Sequence, residues 1–133
     1  MKITPADQAF SKLIRARAKW RCEMCGTQYE EGSQGLHCSH FHGRANWSVR
    51  FDPNNCEAAC MGCHMKCEGN PHEFTNRWMK KLGKGAYEIL LERKNDISLA
   101  KLYRKTKGKG EIAKHFRDQL QAVIDGAEIE AYL

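Results

Sequence analysis

The chain has 133 residues, a formal net charge of +6, 29% charged residues and a mean hydropathy of −0.68. These values fit one domain with a modest core and metal support, and they exclude a membrane-embedded chain, because no stretch approaches the ~20 apolar residues of a span. The basic balance suits a polyanionic partner such as nucleic acid, and four thiolates around one Zn²⁺ would lower the charge by two without reversing it.

The opening MKITPADQAF has no apolar run, so no secretory leader is expected. Within it, Thr4-Pro5-Ala6-Asp7 reads as an N-cap, a proline at the first helical position and an acidic third residue. Ala6, Ala9, Phe10, Leu13, Ala16 and Trp20 follow at helical spacing, so a helix is predicted from about 5 to 20. Lys12, Arg15 and Lys19 lie opposite that apolar face and could touch DNA or simply be solvated. Residues 27–35 read as a loop, Leu36 to Phe41 as a short strand and His42 to Pro53 as a long loop. Asn55 to Ala59 reads as a second short strand, and the chain should turn helical from Met61 to near Gly69.

Asn70-Pro71-His72-Glu73 repeats the first capping pattern and opens a helix with Phe74, Trp78, Met79 and Leu82 on its apolar side. Further helices are predicted over about 86–94, with Ile89, Leu90 and Leu91 as core candidates, over about 98–106, and over about 111–125. Gly126 ends the last one, and the tail beyond should be loose. Residues 77–117 hold 13 Lys+Arg against 4 Asp+Glu, so positive charge gathers in this half. Lys101, Arg104, Lys105, Lys107 and Lys109 cluster there as candidate DNA-backbone contacts, with a solubilising surface as the plain alternative.

Seven cysteines, an odd count with paired spacing, point to thiolates on a metal in a reducing cytosol rather than to a secreted disulfide framework. Two Cys-x-x-Cys pairs, Cys22/Cys25 and Cys60/Cys63, can hold one structural Zn²⁺, because each pair lets one turn present two sulfurs. Gly26 would supply the tight turn of the first knuckle. Cys38 and Cys56 read as small buried residues, and Cys67 as a spare ligand or another buried thiol. The 34 residues between the pairs must fold as a unit of their own.

That unit carries His40 at the end of the first strand and Asn55 at the start of the second, and His64 follows directly after the second pair. This order matches the His-Asn-His (HNH) motif of ββα-metal endonucleases. Phosphodiester hydrolysis needs its anionic charge neutralised, which a Mg²⁺ or Mn²⁺ ion does. His64 is then the best ligand for the catalytic ion, and His40 the general base that takes a proton from water. Asn55 would hold the loop and orient His40 through its side-chain amide, and Arg44 and Arg50 are candidate phosphate clamps. The position before the base, commonly a metal ligand in such sites, is Ser39, a poor one; His37, His42 or water could take its place, and His42 could itself be the base.

The run Cys22-Glu23-Met24-Cys25-Gly26-Thr27, through Ser39-His40, Arg50-Phe51 and Asn55, to Cys60-Met61-Gly62-Cys63-His64 and Gly69-Asn70-Pro71 resembles the phage lambda NinG (Rap) recombination nuclease family. The resemblance covers roughly residues 6–95. It implies an endonuclease of phage or prophage recombination in the cytoplasm of a bacterial host. Its substrates would be branched DNA such as D-loops and Holliday junctions, with zinc on Cys22, Cys25, Cys60 and Cys63 and a catalytic His40. His64 falls where the lambda member has asparagine, also a hard-metal ligand. The residues before Cys22 do not match the family's long basic N-terminal extension, which bears on substrate preference more than on cutting chemistry.

The expected architecture is therefore α+β: a zinc-stabilised ββα-metal (HNH) module, about 20–70, flanked by an N-terminal helix and a basic helical part, about 71–126, in one domain over 1–133. Cutting a four-way junction takes two incisions, so a homodimer would be convenient. The competing readings are a zinc-stabilised DNA-binding protein whose HNH site does not cleave, and a zinc-stapled interaction protein that ignores nucleic acid.

Overall fold

The computed structural model describes residues 2–106 and 110–133. Lys107 and Lys109, grouped above with the basic residues, lie outside the described residues. A helix α1, Pro5–Arg17, leads into a two-stranded antiparallel sheet of β1, Leu36–His40, and β2, Cys56–Cys60. The helix α2, Met61–Gly69, follows β2 without a break, so strand, strand and helix form the ββα unit in chain order. Four further helices of seven residues or more follow among the described residues: α3, Pro71–Leu82; α4, Lys84–Lys94; α5, Ile97–Thr106; and α6, Glu111–Arg117. A short α7, Leu120–Ile124, closes the series. No helix among the described residues is long and apolar enough to cross a membrane.

The capping box at Thr4 forms as the sequence predicts: the Asp7 amide donates to the Thr4 hydroxyl at 3.2 Å, and the Thr4 amide donates to the Asp7 carboxylate at 2.8 Å. The helix ends three residues earlier than predicted. Lys19 and Trp20 take left-handed φ values of 54° and 60°, so the chain reverses before the first cysteine and drops Trp20 into a separate cluster. The second strand begins one residue later than predicted, because Pro53–Asn55 forms a 3-10 turn. Asn70 opens α3 but makes no side-chain cap. The predicted helix over 111–125 divides at Asp118 and Gln119 into α6 and α7.

Among the described residues, three clusters hold the chain. The largest joins α1 to the C-terminal helices through Phe10, Leu13, Ile14, Phe51, Tyr103, Ile112, Phe116 and Val123. A second, around the cysteines, is built from Trp20, Cys22, Leu36, Ala58, Ala59 and Cys63. The third packs Val49 with Trp78 and Leu90, and Phe41 stacks on Trp78 at 5.4 Å with the rings 3° from parallel. Of the three core candidates in α4, only Leu90 is buried; Ile89 and Leu91 face solvent. The tail, expected to be loose, is tied down. The Leu133 amide donates to the Tyr103 hydroxyl at 3.2 Å, Arg93 donates to the Leu133 carbonyl at 2.7 Å, and Ile129 and Tyr132 pack on the largest cluster.

Candidate functional site

The four paired cysteines converge. Their sulfurs all lie within 4.8 Å of one another, and Cys25 and Cys60 are 3.9 Å apart. Gly26 has φ +76°, a conformation a side chain would strain, and its amide closes the knuckle on the Cys22 carbonyl at 2.9 Å. The Cys25 and Cys60 amides point at Cys22 Sγ from 3.5 and 3.4 Å, stabilising charge on that sulfur. Hydrogen bonds from Thr27 pull Cys25 down to about 6, while burial and the crowding of the other three sulfurs push Cys63 up to about 12. Four sulfurs brought together from two knuckles are the ligand set of a structural zinc, and these four residues could hold one. Cys67 is not among them; it is buried with its sulfur 3.4 Å from Met24 Sδ.

The strand register pairs His37 with Ala59, Ser39 with Glu57 and His40 with Cys56. Alternation divides the hairpin into two faces. Cys38, His40 and Cys56 face α1, and the His40 ring lies 6.4 Å from Phe10. His37, Ser39 and Glu57 face α2 and α3. There Glu57, fully buried, takes 2.6 and 2.7 Å bonds from Arg77 and a 3.1 Å bond from Lys81, a network the sequence reading missed. An open cleft of about 610 Å³ wraps the free edge of β1 and brings the two faces together: His37, His40, His64 and Arg44 all line it.

His40 is held by the Arg50 carbonyl, 3.0 Å from its Nε2. A carbonyl only accepts, so Nε2 carries the proton and Nδ1 is left as the basic nitrogen. Burial lowers the His40 pKa to about 4, against the Arg50 hydrogen bond that favours the charged form, and the Arg44 charge adds to the lowering. The imidazole is therefore neutral at pH 7, the form a general base needs.

The Asn55 side chain makes no hydrogen bond to His40, contrary to expectation. Its amide nitrogen donates to the His42 and Val49 carbonyls at 2.9 and 3.0 Å, and its oxygen accepts from the His42 amide at 2.8 Å. It staples the two ends of the 42–49 segment, so the orienting group for His40 is the Arg50 carbonyl. Arg50 is a second correction. It is 1% exposed and grips Asp7 with two bonds, 2.9 and 2.6 Å, so its guanidinium is a buried tie between the loop and α1 rather than a phosphate clamp. Its neighbours Val49 and Phe51, both apolar and buried, were the available signal. Hydrogen bonds from Arg50 and Thr4 outweigh the opposing effect of burial and lower the Asp7 pKa.

Among the candidates for a second ligand, Ser39 is buried, with a hydroxyl that has no hydrogen-bond partner. His42 packs edge-on against Phe41 at 4.6 Å, its Nε2 is buried without a partner, and it does not line the cleft, so it is poorly placed as a base. His37 is the ring against His64, at 5.8 Å between centroids. Strand alternation from Ser39 was the signal for this neighbour. Among the described residues, His64 belongs to no group of three close metal-ligating side chains; Glu68, 3.9 Å away, is its nearest acid.

Lys101, Arg104 and Lys105 are exposed on α5. Arg104 borders a shallow groove shared with Ala45–Ser48, and that loop begins at the Gly43 and Arg44 wall of the cleft. Arg15, by contrast, is half-buried over Trp20 and donates to the Ser33 carbonyl, whereas Lys12 and Lys19 stay exposed.

Residues 3–124, nearly the whole chain, match the family model described as Bacteriophage Lambda NinG protein. No curated protein and no solved structure matches the chain.

Proposed function

The chain belongs to the bacteriophage lambda NinG family, and from that premise we propose that it is a metal-dependent HNH-type endonuclease. It would hydrolyse phosphodiesters in DNA, with branched recombination intermediates such as D-loops and Holliday junctions as substrates. The observation that carries the reading is His40: a neutral imidazole at the lip of a cleft, its Nε2–H committed to the Arg50 carbonyl and its Nδ1 left to accept a proton.

In this reading a water proton passes to His40 Nδ1, and the Arg50 carbonyl supports the imidazolium that forms. Asn55 acts one step back, fixing the loop that carries that carbonyl. His64, with His37 beside it, would hold the divalent ion. Mg²⁺ or Mn²⁺ held there would supply charge neutralisation for the anionic phosphodiester. Arg44 at the cleft wall and Lys101, Arg104 and Lys105 along α5 would bind backbone phosphates on either side of the 45–48 loop. The four-cysteine zinc is structural, setting the hairpin against α2. Two copies would provide the two cuts a junction needs.

Supercoiled-plasmid nicking in Mg²⁺ or Mn²⁺ tests the reading. Removing a general base costs about 10²–10⁴-fold, so His40→Ala should nick that much more slowly than the unsubstituted chain. Linear, forked and four-way DNA compared side by side would set the substrate. Equal nicking by both preparations would return the alternative, a DNA-binding protein with a silent HNH site. One observation favours that alternative: the residue before the base is a buried serine, not an acid or a histidine.

A further inference from the structure

Two thiols that the four-cysteine site does not use lie beside His40. The register sets His40 directly opposite Cys56, and alternation puts Cys38 on the same face. The two sulfurs and an imidazole nitrogen lie within 4.8 Å of one another. Around tetrahedral zinc, bonds of about 2.3 Å to sulfur and 2.0–2.1 Å to nitrogen put ligand atoms roughly 3.5–3.8 Å apart, so closing the set onto one ion takes shifts of about 1 Å. The hydrogen bond from Nε2 to the Arg50 carbonyl already fixes the ring and leaves Nδ1 as the nitrogen that could ligate, the usual arrangement of a metal-bound histidine. Cys38 and His40 line the cleft, which gives an ion a way in to the buried Cys56.

We propose that Cys38, His40 and Cys56 form a second metal site, separate from the four cysteines, for a thiophilic ion such as Zn²⁺ or Cd²⁺. Two sulfurs and an imidazole select such ions over Mg²⁺ and Mn²⁺, which prefer oxygen. On binding, both thiols release their protons to solvent and the ion's two charges cancel the two thiolates. The filled site is therefore neutral, and it adds no positive charge beside Arg15 and Arg17, which sense Cys38 and Cys56 electrostatically. One consequence rests on the reading of His40 as general base: an ion on Nδ1 takes the lone pair that would accept the water proton, so occupancy silences cleavage.

The test uses the full chain as purified with its zinc. It is exchanged against excess Cd²⁺, desalted, and measured for cadmium per chain and for thiolate-to-cadmium ultraviolet absorbance. Two equivalents are expected in the unsubstituted chain and one in Cys38→Ala and in Cys56→Ala. Cys38 is only half-buried, so Cys38→Ala carries the comparison if Cys56→Ala does not fold. One equivalent in the unsubstituted chain, or two in the folded variants, overturns the site. Plasmid nicking in Mg²⁺ is then read with and without Cd²⁺. Loss of about 10-fold or more in the unsubstituted chain, relieved in Cys38→Ala, is expected if His40 is the base; equal inhibition of both overturns the coupling. A chain that never nicks sinks the nuclease reading and the coupling with it, and the cadmium stoichiometry still decides the site.

Discussion

The core that ties α1 to the C-terminal helices and the core around the cysteines are stabilised by different physics. The first buries three phenylalanines, a tyrosine and several branched aliphatics, each worth about 1.5–3 kcal/mol when fully removed from water. The second offers one tryptophan and one leucine; its other four members are two alanines and two cysteines. Alanine has a single methyl group to bury, so the cysteine region lacks the apolar area to hold a hairpin against a helix. The sulfur cluster sits in this weaker region, where a metal held by the four cysteines would replace a core that five-residue strands cannot provide.

The strongest way to break this comparison is to remove any zinc held by the four cysteines. Structural zinc contributes about 10–16 kcal/mol in small zinc-binding peptides, as much as the whole stability of an ordinary domain. A strong chelator, or Cys60→Ala with Cys63→Ala, should abolish amide-exchange protection over residues 22–64 before it touches residues 111–124. Equal loss in both regions would show that the two cores are one cooperative unit.

Next in size is the Asp7–Arg50 tie, which joins the two regions. Asp7→Ala leaves a buried guanidinium uncompensated and should cost about 3–5 kcal/mol in denaturant unfolding. Asp7→Leu with Arg50→Met removes both charges and should recover most of it; no recovery would mean that the Thr4 cap, not the ion pair, carries the effect.

Asn55→Ala should cost less, since each stranded backbone group carries about 1–3 kcal/mol. It should also slow nicking, because the loop that carries the Arg50 carbonyl is released. Full activity in a destabilised Asn55→Ala would detach the staple from the chemistry.

The effect of pH is smaller and has a definite sign. Burial holds His40 and His42 near 4, with the Lys94 charge adding to the effect at His42. The unfolded chain takes up those protons near 6.5, so their share of stability is complete above about 6.5 and is lost as pH falls from there to about 4. Asp7, with its lowered pKa, adds a further loss only below the ordinary carboxylate range. Urea midpoints should therefore fall from pH 7 to pH 5, and less so in His42→Phe. A flat profile would mean that both rings accept protons in the folded state.

The smallest effect on folding belongs to α5. Replacing Lys101, Arg104 and Lys105 by glutamine should change stability by no more than about 0.5 kcal/mol, since all three are exposed. If they contact phosphates, the salt dependence of DNA binding should flatten by close to one unit of slope per residue.

Much of this was legible locally. Pro5 and Pro71 mark helix starts, Gly26 and Gly126 take the left-handed turns that end a knuckle and a helix, and the paired cysteine spacing announces the four-sulfur cluster. These features depend on neighbours a few residues apart, and short-range sterics decide them. What distance along the chain conceals is partner choice. Arg50 reads like any loop arginine until Asp7, 43 residues away, neutralises it inside the fold. Asn55 falls in the 3-10 turn just before β2, and its side-chain bonds run to the His42–Val49 loop and not to His40.

The sequence by itself therefore determined the four-cysteine cluster that could hold zinc and the ββα order, because ligand spacing and strand period are local properties. Only the tertiary structure decided that His37 stands against His64, that a carbonyl rather than an amide side chain holds His40, and that Cys38 and Cys56 meet beside that ring. Those juxtapositions follow from strand register and from the way α1 and α2 close on opposite faces of one hairpin, which no pattern of neighbouring residues encodes.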